Sequence, residues 1–159
     1  MNIRLYLLIA LATAPPSLSH AQDAGAGQSI MMINMGGNDC PPCVAWRRSE
    51  LPKLQKQAAF STIDYVHVEK TIQSSVPPRF FLPERVRPYK DKLDVASGGM
   101  SGSPQVAILV DGEVYDYIYG SRSAEDVLKA IQSIRTGATY PFERCLQRRD
   151  RLHCSVKAP

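Results

Sequence analysis

Residues 29–46, SIMMINMGGNDCPPCVAW, decide the fold of this chain. They begin with an almost continuous apolar run, residues 29–35, which has the length of a buried β-strand. A Gly-Gly-Asn-Asp sequence ends the run with strong turn signals. Cys40 and Cys43 then form a C-x-x-C where a helical pattern begins. The stretch therefore predicts a strand, a turn and two cysteines at the N-terminus of a helix.

A helix N-terminus suits a reactive thiol, because its unpaired N–H groups and the helix dipole stabilise a thiolate. Cys40 is the predicted exposed nucleophile. Cys43, one turn along, is predicted to face inward and to attack a mixed disulfide formed at Cys40. Half of a zinc site and a plain structural disulfide use the same spacing, so the C-x-x-C alone leaves these alternatives open.

The N-terminus is typical of a secretory signal peptide over residues 1–21. One cation, Arg4, precedes an apolar run from Leu5 to Ala14, and Ser19-His20-Ala21 is a small-x-small cleavage site. We expect cleavage after Ala21 and a periplasmic or secreted protein. Cysteines in such a compartment tend to form disulfides.

The composition is that of one globular domain, with 159 residues, 44% hydrophobic and 21% charged. It excludes a disordered chain, a collagen and a coiled coil. No stretch reaches the roughly 18 to 20 apolar residues that span a bilayer. The formal charge of +4 is too mild to indicate a nucleic-acid partner.

The rest of the chain predicts alternating elements after the first strand. A helix is expected over residues 43–59 with a kink at Pro52, and a strand over 63–69 with His67 and Glu69 on one face and Val66 and Val68 on the other. The proline-rich stretch 71–98 is interpreted as an insertion with a short helix near residues 88–93. Residues 105–110 and 113–119 flank Asp111-Gly112 as an antiparallel hairpin, and a helix capped by Ser123 runs to Gly137.

The segment GMSGSPQ, residues 99–105, with the hairpin and capped helix that follow it, resembles the C-terminal half of the thioredoxin superfamily. Together with the first strand and the CPPC, the resemblance covers roughly residues 28–137. It implies an α/β thioredoxin-like fold, a central mixed β-sheet flanked by helices, with the proline-rich insertion before a cis-proline turn.

The same resemblance implies roles for four residues. Pro104 is cis and packs against the C-x-x-C, and Ser103 offers its backbone to a substrate peptide. Cys40 is the nucleophile and Cys43 the resolving cysteine. A cis X–Pro bond is uncommon and usually marks a constrained turn.

Two departures from the family pattern bear on Cys40. Asp39 replaces the usual aromatic residue, and its negative charge opposes thiolate formation. Pro41 and Pro42 have no N–H groups to donate to the sulfur. A less stabilised thiolate implies a less oxidising couple, which favours a reductase or an isomerase over a strong oxidase.

A third departure lies six residues before Cys40, where thioredoxins proper have a buried acid and this chain has Asn34, which cannot accept a proton. His67 or Glu69 on the neighbouring strand could transfer protons instead. A solvated, outward-facing pair is the alternative.

Cys145 and Cys154 enclose a short basic segment, and in an exported protein we expect them to form a structural disulfide. It would close a C-terminal extension, residues 138–159, that follows a thioredoxin-like domain of residues 22–137. Cys145, His153 and Cys154 as soft metal ligands are the alternative, although adjacent ligands are awkward for one tetrahedral site.

The sequence thus predicts an exported thiol-disulfide oxidoreductase that acts on protein disulfides or dithiols. It would need a redox partner that the sequence does not identify, and no organic cofactor or metal. Two other classes remain open. One is a redox-inactive binding module of an envelope assembly that uses residues 71–98, and the other is a thiolate protein that handles copper or zinc.

Overall fold

A computed structural model describes residues 27–144. The expectations for residues 1–21 and for Cys145, His153 and Cys154 lie outside that range. Within it, no helix has the length and apolar character needed to cross a membrane. The elements are, in chain order, β1 (Ile30–Met35), α1 (Pro41–Ser49), α2 (Leu51–Gln55), α3 (Ala58–Ser61), β2 (Asp64–Val68), 3-10 helices at Arg79–Phe81 and Arg87–Tyr89, α4 (Lys90–Ser97), β3 (Gln105–Val110), β4 (Glu113–Tyr119) and α5 (Ala124–Thr136).

The four strands form one mixed sheet in the order β2-β1-β3-β4. β1 is parallel to β2 and antiparallel to β3, and β3 is antiparallel to β4. Val110 pairs with Glu113, so Asp111-Gly112 forms the tight turn that the sequence predicts. This mixed sheet with flanking helices is consistent with an α/β thioredoxin-like fold.

Each face of the sheet carries its own core, because successive side chains of a strand point to opposite faces. Ile30 and Met32 of β1 pack with residues of α1, α2, α3 and α5. Ile33 and Met35 pack with α4 and the proline-rich segment before it. β1 is therefore covered on both faces, and the loop after it emerges between the two layers.

The prediction of a single helix over residues 43–59 is wrong, because the structure has three short helices there. α1 already begins at Pro41, and Glu50 ends it by donating its N–H to Trp46 O. Pro52 has no N–H to continue the α1 ladder, and it occupies the first turn of α2 instead. The extended backbone of Gln57 then separates α2 from α3.

The chain after α5 packs back onto the sheet. Tyr140 donates its hydroxyl to Oδ2 of the buried Asp116 at 2.8 Å. The guanidinium of Arg122 lies 3.8 Å from the centre of the Phe142 ring. The packed residues therefore continue beyond Gly137.

β4 contains a bulge at Tyr115. Ile108 of β3 pairs with Asp116 and Leu109 pairs with Val114, so Tyr115 is an extra residue without a partner in β3. Its ring contacts Tyr140 edge-on, with centroids 5.3 Å apart. The bulge thus connects β4 to the returning tail.

Candidate active site

Cys40 and Cys43 form a disulfide at the N-terminus of α1. Cys40 is the N-cap of the helix, and its Sγ accepts the N–H of Cys43 at 3.2 Å. Pro41 and Pro42 occupy the two positions between them and have no N–H to donate. The Cys40 sulfur therefore receives one hydrogen bond from the backbone of the first turn. Residues other than proline at positions 41 and 42 would have N–H groups that could also donate to it.

Both cysteines are buried, with 0% of Cys40 and 2% of Cys43 exposed to solvent. The expectation that Cys40 is exposed is therefore wrong. It assumed an open helix N-terminus, whereas Ile72 is bonded to the loop that precedes the helix. Ile72 donates its N–H to Oδ2 of Asp39, the residue before Cys40, at 3.0 Å.

Gly36 at the end of β1 lies against the disulfide. A Cβ on this residue would be 2.5 Å from Cys43 Sγ and 3.9 Å from Pro104 Cα. The bond between Ser103 and Pro104 is cis, as the resemblance implies. The first strand, the cysteine pair and the cis-proline turn therefore meet at Gly36.

The Ser103 hydroxyl is buried and has no hydrogen-bond partner among residues 27–144. On the other side of the cis bond, Pro104 O accepts the N–H of Gly120 at 2.9 Å. The turn before β3 is thus fixed through Pro104, while the polar group of Ser103 has no partner in the described chain.

Lys70 belongs to the surroundings of the site, although the sequence analysis did not single it out. Only 5% of the residue is exposed, and its Nζ donates to Ser74 O and to Gly102 O, both at 2.6 Å. Burial lowers the pKa of Lys70 to about 8, and the nearby charge of Asp39 partly opposes this shift. A lysine after a strand normally suggests a solvated side chain, so its sequence carried no signal of burial.

Asn34 and His67 are partners in the register of β1 and β2, so the structure brings together these two predicted residues. Arg47 of α1 lies beside them, with Nη1 3.5 Å from His67 Nε2 and 3.3 Å from Gly36 O. The sequence did not indicate this role for Arg47, because its position depends on how α1 packs on the sheet. Its cation lies between the histidine and the glycine that touches Cys43.

β2 ends at Val68, one residue before the predicted end of this strand, so Glu69 lies just after it. Its Oε2 is 3.4 Å from His67 Nε2, and its side chain is largely exposed. Val66 and Val68 lie on the opposite face from His67, as predicted, and both are buried. Among residues 27–144, no group of three or more His, Cys, Asp or Glu could hold a metal ion.

We expect Gly36→Ala to destabilise the oxidised protein by about 1 to 3 kcal/mol, because the new methyl group would overlap the Cys43 sulfur. Chemical denaturation measures this loss. Gly27→Ala is the matched control, since nothing lies within 4 Å of a Cβ there. Equal stabilities of the two variants would contradict the close approach.

The lowered pKa of Lys70 makes stability depend on pH. Above a pH of about 8 the folded protein loses this proton, whereas the unfolded chain keeps it up to its ordinary value of 10.5. The unfolded state then binds more protons, so the free energy of unfolding rises with pH. Between about pH 8 and about pH 9.5 the parent should gain about 2 kcal/mol relative to Lys70→Met. Urea denaturation of both proteins tests this, and a constant difference would refute it.

No protein-family model matches the chain, and no curated protein matches it either. Among solved structures, the chain is similar to one described as "DsbH Oxidoreductase", with a TM-score of 0.42 and 14% sequence identity. The similarity covers 80% of this chain and 94% of that chain. A likeness this distant says nothing about activity, which has to be argued from the residues of the chain itself.

Proposed function

We propose that this protein is an exported thiol-disulfide oxidoreductase that exchanges disulfides with other proteins through Cys40 and Cys43. The observation that carries the proposal is the disulfide at the N-terminus of α1, next to the cis bond before Pro104. Two cysteines so placed can pass a pair of electrons without an organic cofactor. The signal-peptide pattern of residues 1–21 supports a periplasmic or secreted location.

The reaction starts from the reduced pair. The Cys40 thiolate attacks one sulfur of a substrate disulfide, which forms a mixed disulfide and releases the other substrate sulfur as a thiolate. The Cys43 thiolate then attacks the Cys40 sulfur and releases the second substrate thiol. The substrate gains two electrons and two protons, and Cys40–Cys43 becomes a disulfide. A thiol donor outside this chain must reduce it again.

The surroundings of Cys40 support a reductase or isomerase over a strong oxidase. A single N–H from the first helical turn reaches its sulfur, and Asp39 is adjacent in sequence. Both features leave the thiolate less stable than a fully hydrogen-bonded one. Since stabilising the reduced form is what makes such a couple oxidising, these two features favour the more reducing character.

Ser103 and Pro104 are the proposed contact for the substrate peptide. The Ser103 hydroxyl, buried and without a partner among residues 27–144, is a polar group that a bound peptide could satisfy. His67, with Glu69 beside it, is the proposed acceptor of the proton that Cys43 loses. Its neighbour Asn34 cannot take this proton.

A redox-inactive binding module is the second candidate, and the burial of both sulfurs favours it. Such a protein would keep the Cys40–Cys43 disulfide permanently and would use other surfaces for its partner. Catalysis of disulfide reduction separates the two candidates. Metal analysis of the same samples tests the copper- or zinc-handling alternative, which predicts bound metal in the reduced parent.

We expect the mature chain to catalyse reduction of insulin disulfides by dithiothreitol, and Cys40→Ser to lower the catalysed rate by about 100-fold, because the nucleophile is lost. The double variant Cys145→Ser/Cys154→Ser is the matched control and should stay within about twofold of the parent. Insulin turbidity and thiol release measure the rates. Equal rates for the parent and Cys40→Ser would remove the enzymatic function.

We expect His67→Ala to slow release of the mixed disulfide about tenfold or more near neutral pH, because Cys43 loses its proton acceptor. Stopped-flow measurement of substrate release separates this step from the attack by Cys40. Glu69→Gln, a change at the exposed partner, serves as control and should have the smaller effect. An unchanged release rate in His67→Ala would exclude His67 from the reaction.

A further inference from the structure

We propose that residues 71–74 form a strap that closes over Cys40, and that Lys70 is the positioning residue that holds the strap shut. The meaning of this closure rests on the proposed function, since Cys40 is the atom that a substrate must reach. The strap itself can be tested without any protein substrate.

The backbone of Ile72 joins the two loops that flank the disulfide. Its N–H donates to Asp39 Oδ2 at 3.0 Å, and its carbonyl accepts the N–H of Gly102 at 2.9 Å. Asp39 precedes Cys40, and Gly102 lies two residues before Pro104. One residue of the strap therefore ties the cysteine loop to the cis-proline turn.

Lys70 fastens the same strap from within. Its ammonium donates to the carbonyl of Ser74, at the far end of the strap, and to the carbonyl of Gly102, both at 2.6 Å. A third, longer contact of 3.5 Å reaches Thr71 O. Hydrogen bonds from a charged donor are about twice as strong as neutral ones, and here they are shielded from water. Both ends of the strap thus depend on one buried cation.

The closed strap and an exchanging substrate exclude each other. An attacking or attacked sulfur has to approach Cys40 Sγ directly, and this residue is 0% exposed. We attribute part of this cover to the strap, because Ile72 is bonded to Asp39, the residue before Cys40. The strap also occupies the Gly102 N–H, which belongs to the turn proposed to receive the substrate peptide. Opening of the Ile72 and Lys70 bonds must therefore precede disulfide exchange. These are few bonds, so the opening is local and leaves the sheet intact.

Alkylation of the reduced full chain by N-ethylmaleimide tests the strap, with Cys40 labelling located by peptide mass. In Lys70→Met we expect Cys40 to be labelled about tenfold faster than in the parent, because the local opening becomes easier. Lys92→Met, which removes an exposed lysine bonded to Gly112 O, is the matched control and should label at the parent rate. If Lys70 acted through its charge alone, Cys40 would be labelled more slowly in Lys70→Met than in the parent, because removal of the cation disfavours the reactive thiolate.

Amide hydrogen exchange distinguishes a loosened strap from a weakened fold. In Lys70→Met the N–H groups of Ile72 and Gly102 should exchange about tenfold faster, while that of Ala107 in β3 should be unchanged. Acceleration at all three amides, or equal Cys40 labelling in the parent and Lys70→Met, would overturn the proposal.

Ile72→Pro provides a second route if Lys70→Met does not fold. It removes the N–H that Asp39 accepts and leaves Lys70 in place. Faster labelling of Cys40 in this variant supports the strap, and parent-like labelling refutes it. Failure of the proposed function would look different, because the parent would then reduce insulin no faster than Cys40→Ser whatever the labelling rates.

Discussion

The close approach between the backbone of Gly36 and the sulfur of Cys43 is the constraint on which the rest of the site depends. A Cβ at position 36 would be 2.5 Å from the sulfur, so only glycine fits at this position, directly after β1, without a shift of its neighbours. The same residue is near Pro104, and its N–H donates to Val68 O at 3.0 Å. Strand, helix N-terminus and cis-proline turn are thereby held around two sulfur atoms.

Charge around the disulfide is balanced by buried or half-buried cations. Asp39 alone would disfavour a thiolate at Cys40. Lys70 lies close enough to Asp39 for their opposite charges to interact, which partly offsets the negative charge beside Cys40. Arg47 lies on the other side of the site, with its guanidinium at His67 and at the carbonyl of Gly36, the glycine that packs against Cys43. Burial of the Lys70 ammonium costs free energy, as its lowered pKa shows, so its position reflects the hydrogen bonds that it makes.

Local patterns predicted the parts of the fold that local physics determines. The Asp111-Gly112 hairpin, the Ser123 cap and the C-x-x-C at a helix start follow from turn and cap chemistry, and each is present. The length of the helix after Cys43 was not predictable in the same way, because packing decides where α1 ends. Neither the burial of Cys40 nor that of Lys70 has a sequence signal. The bonds around them join residues that are 32 and 33 positions apart, Lys70 to Gly102 and Ile72 to Asp39.

The bulge at Tyr115 has a consequence for how the molecule meets other copies of itself. β4 is at the edge of the sheet, where unpaired backbone groups can template the addition of a foreign strand. An extra residue breaks the regular spacing of those groups and increases the local twist. Tyr115 is also covered by Tyr140 and lies under the guanidinium of Arg144. The irregular strand is thus a poorer template for strand addition than a regular edge would be.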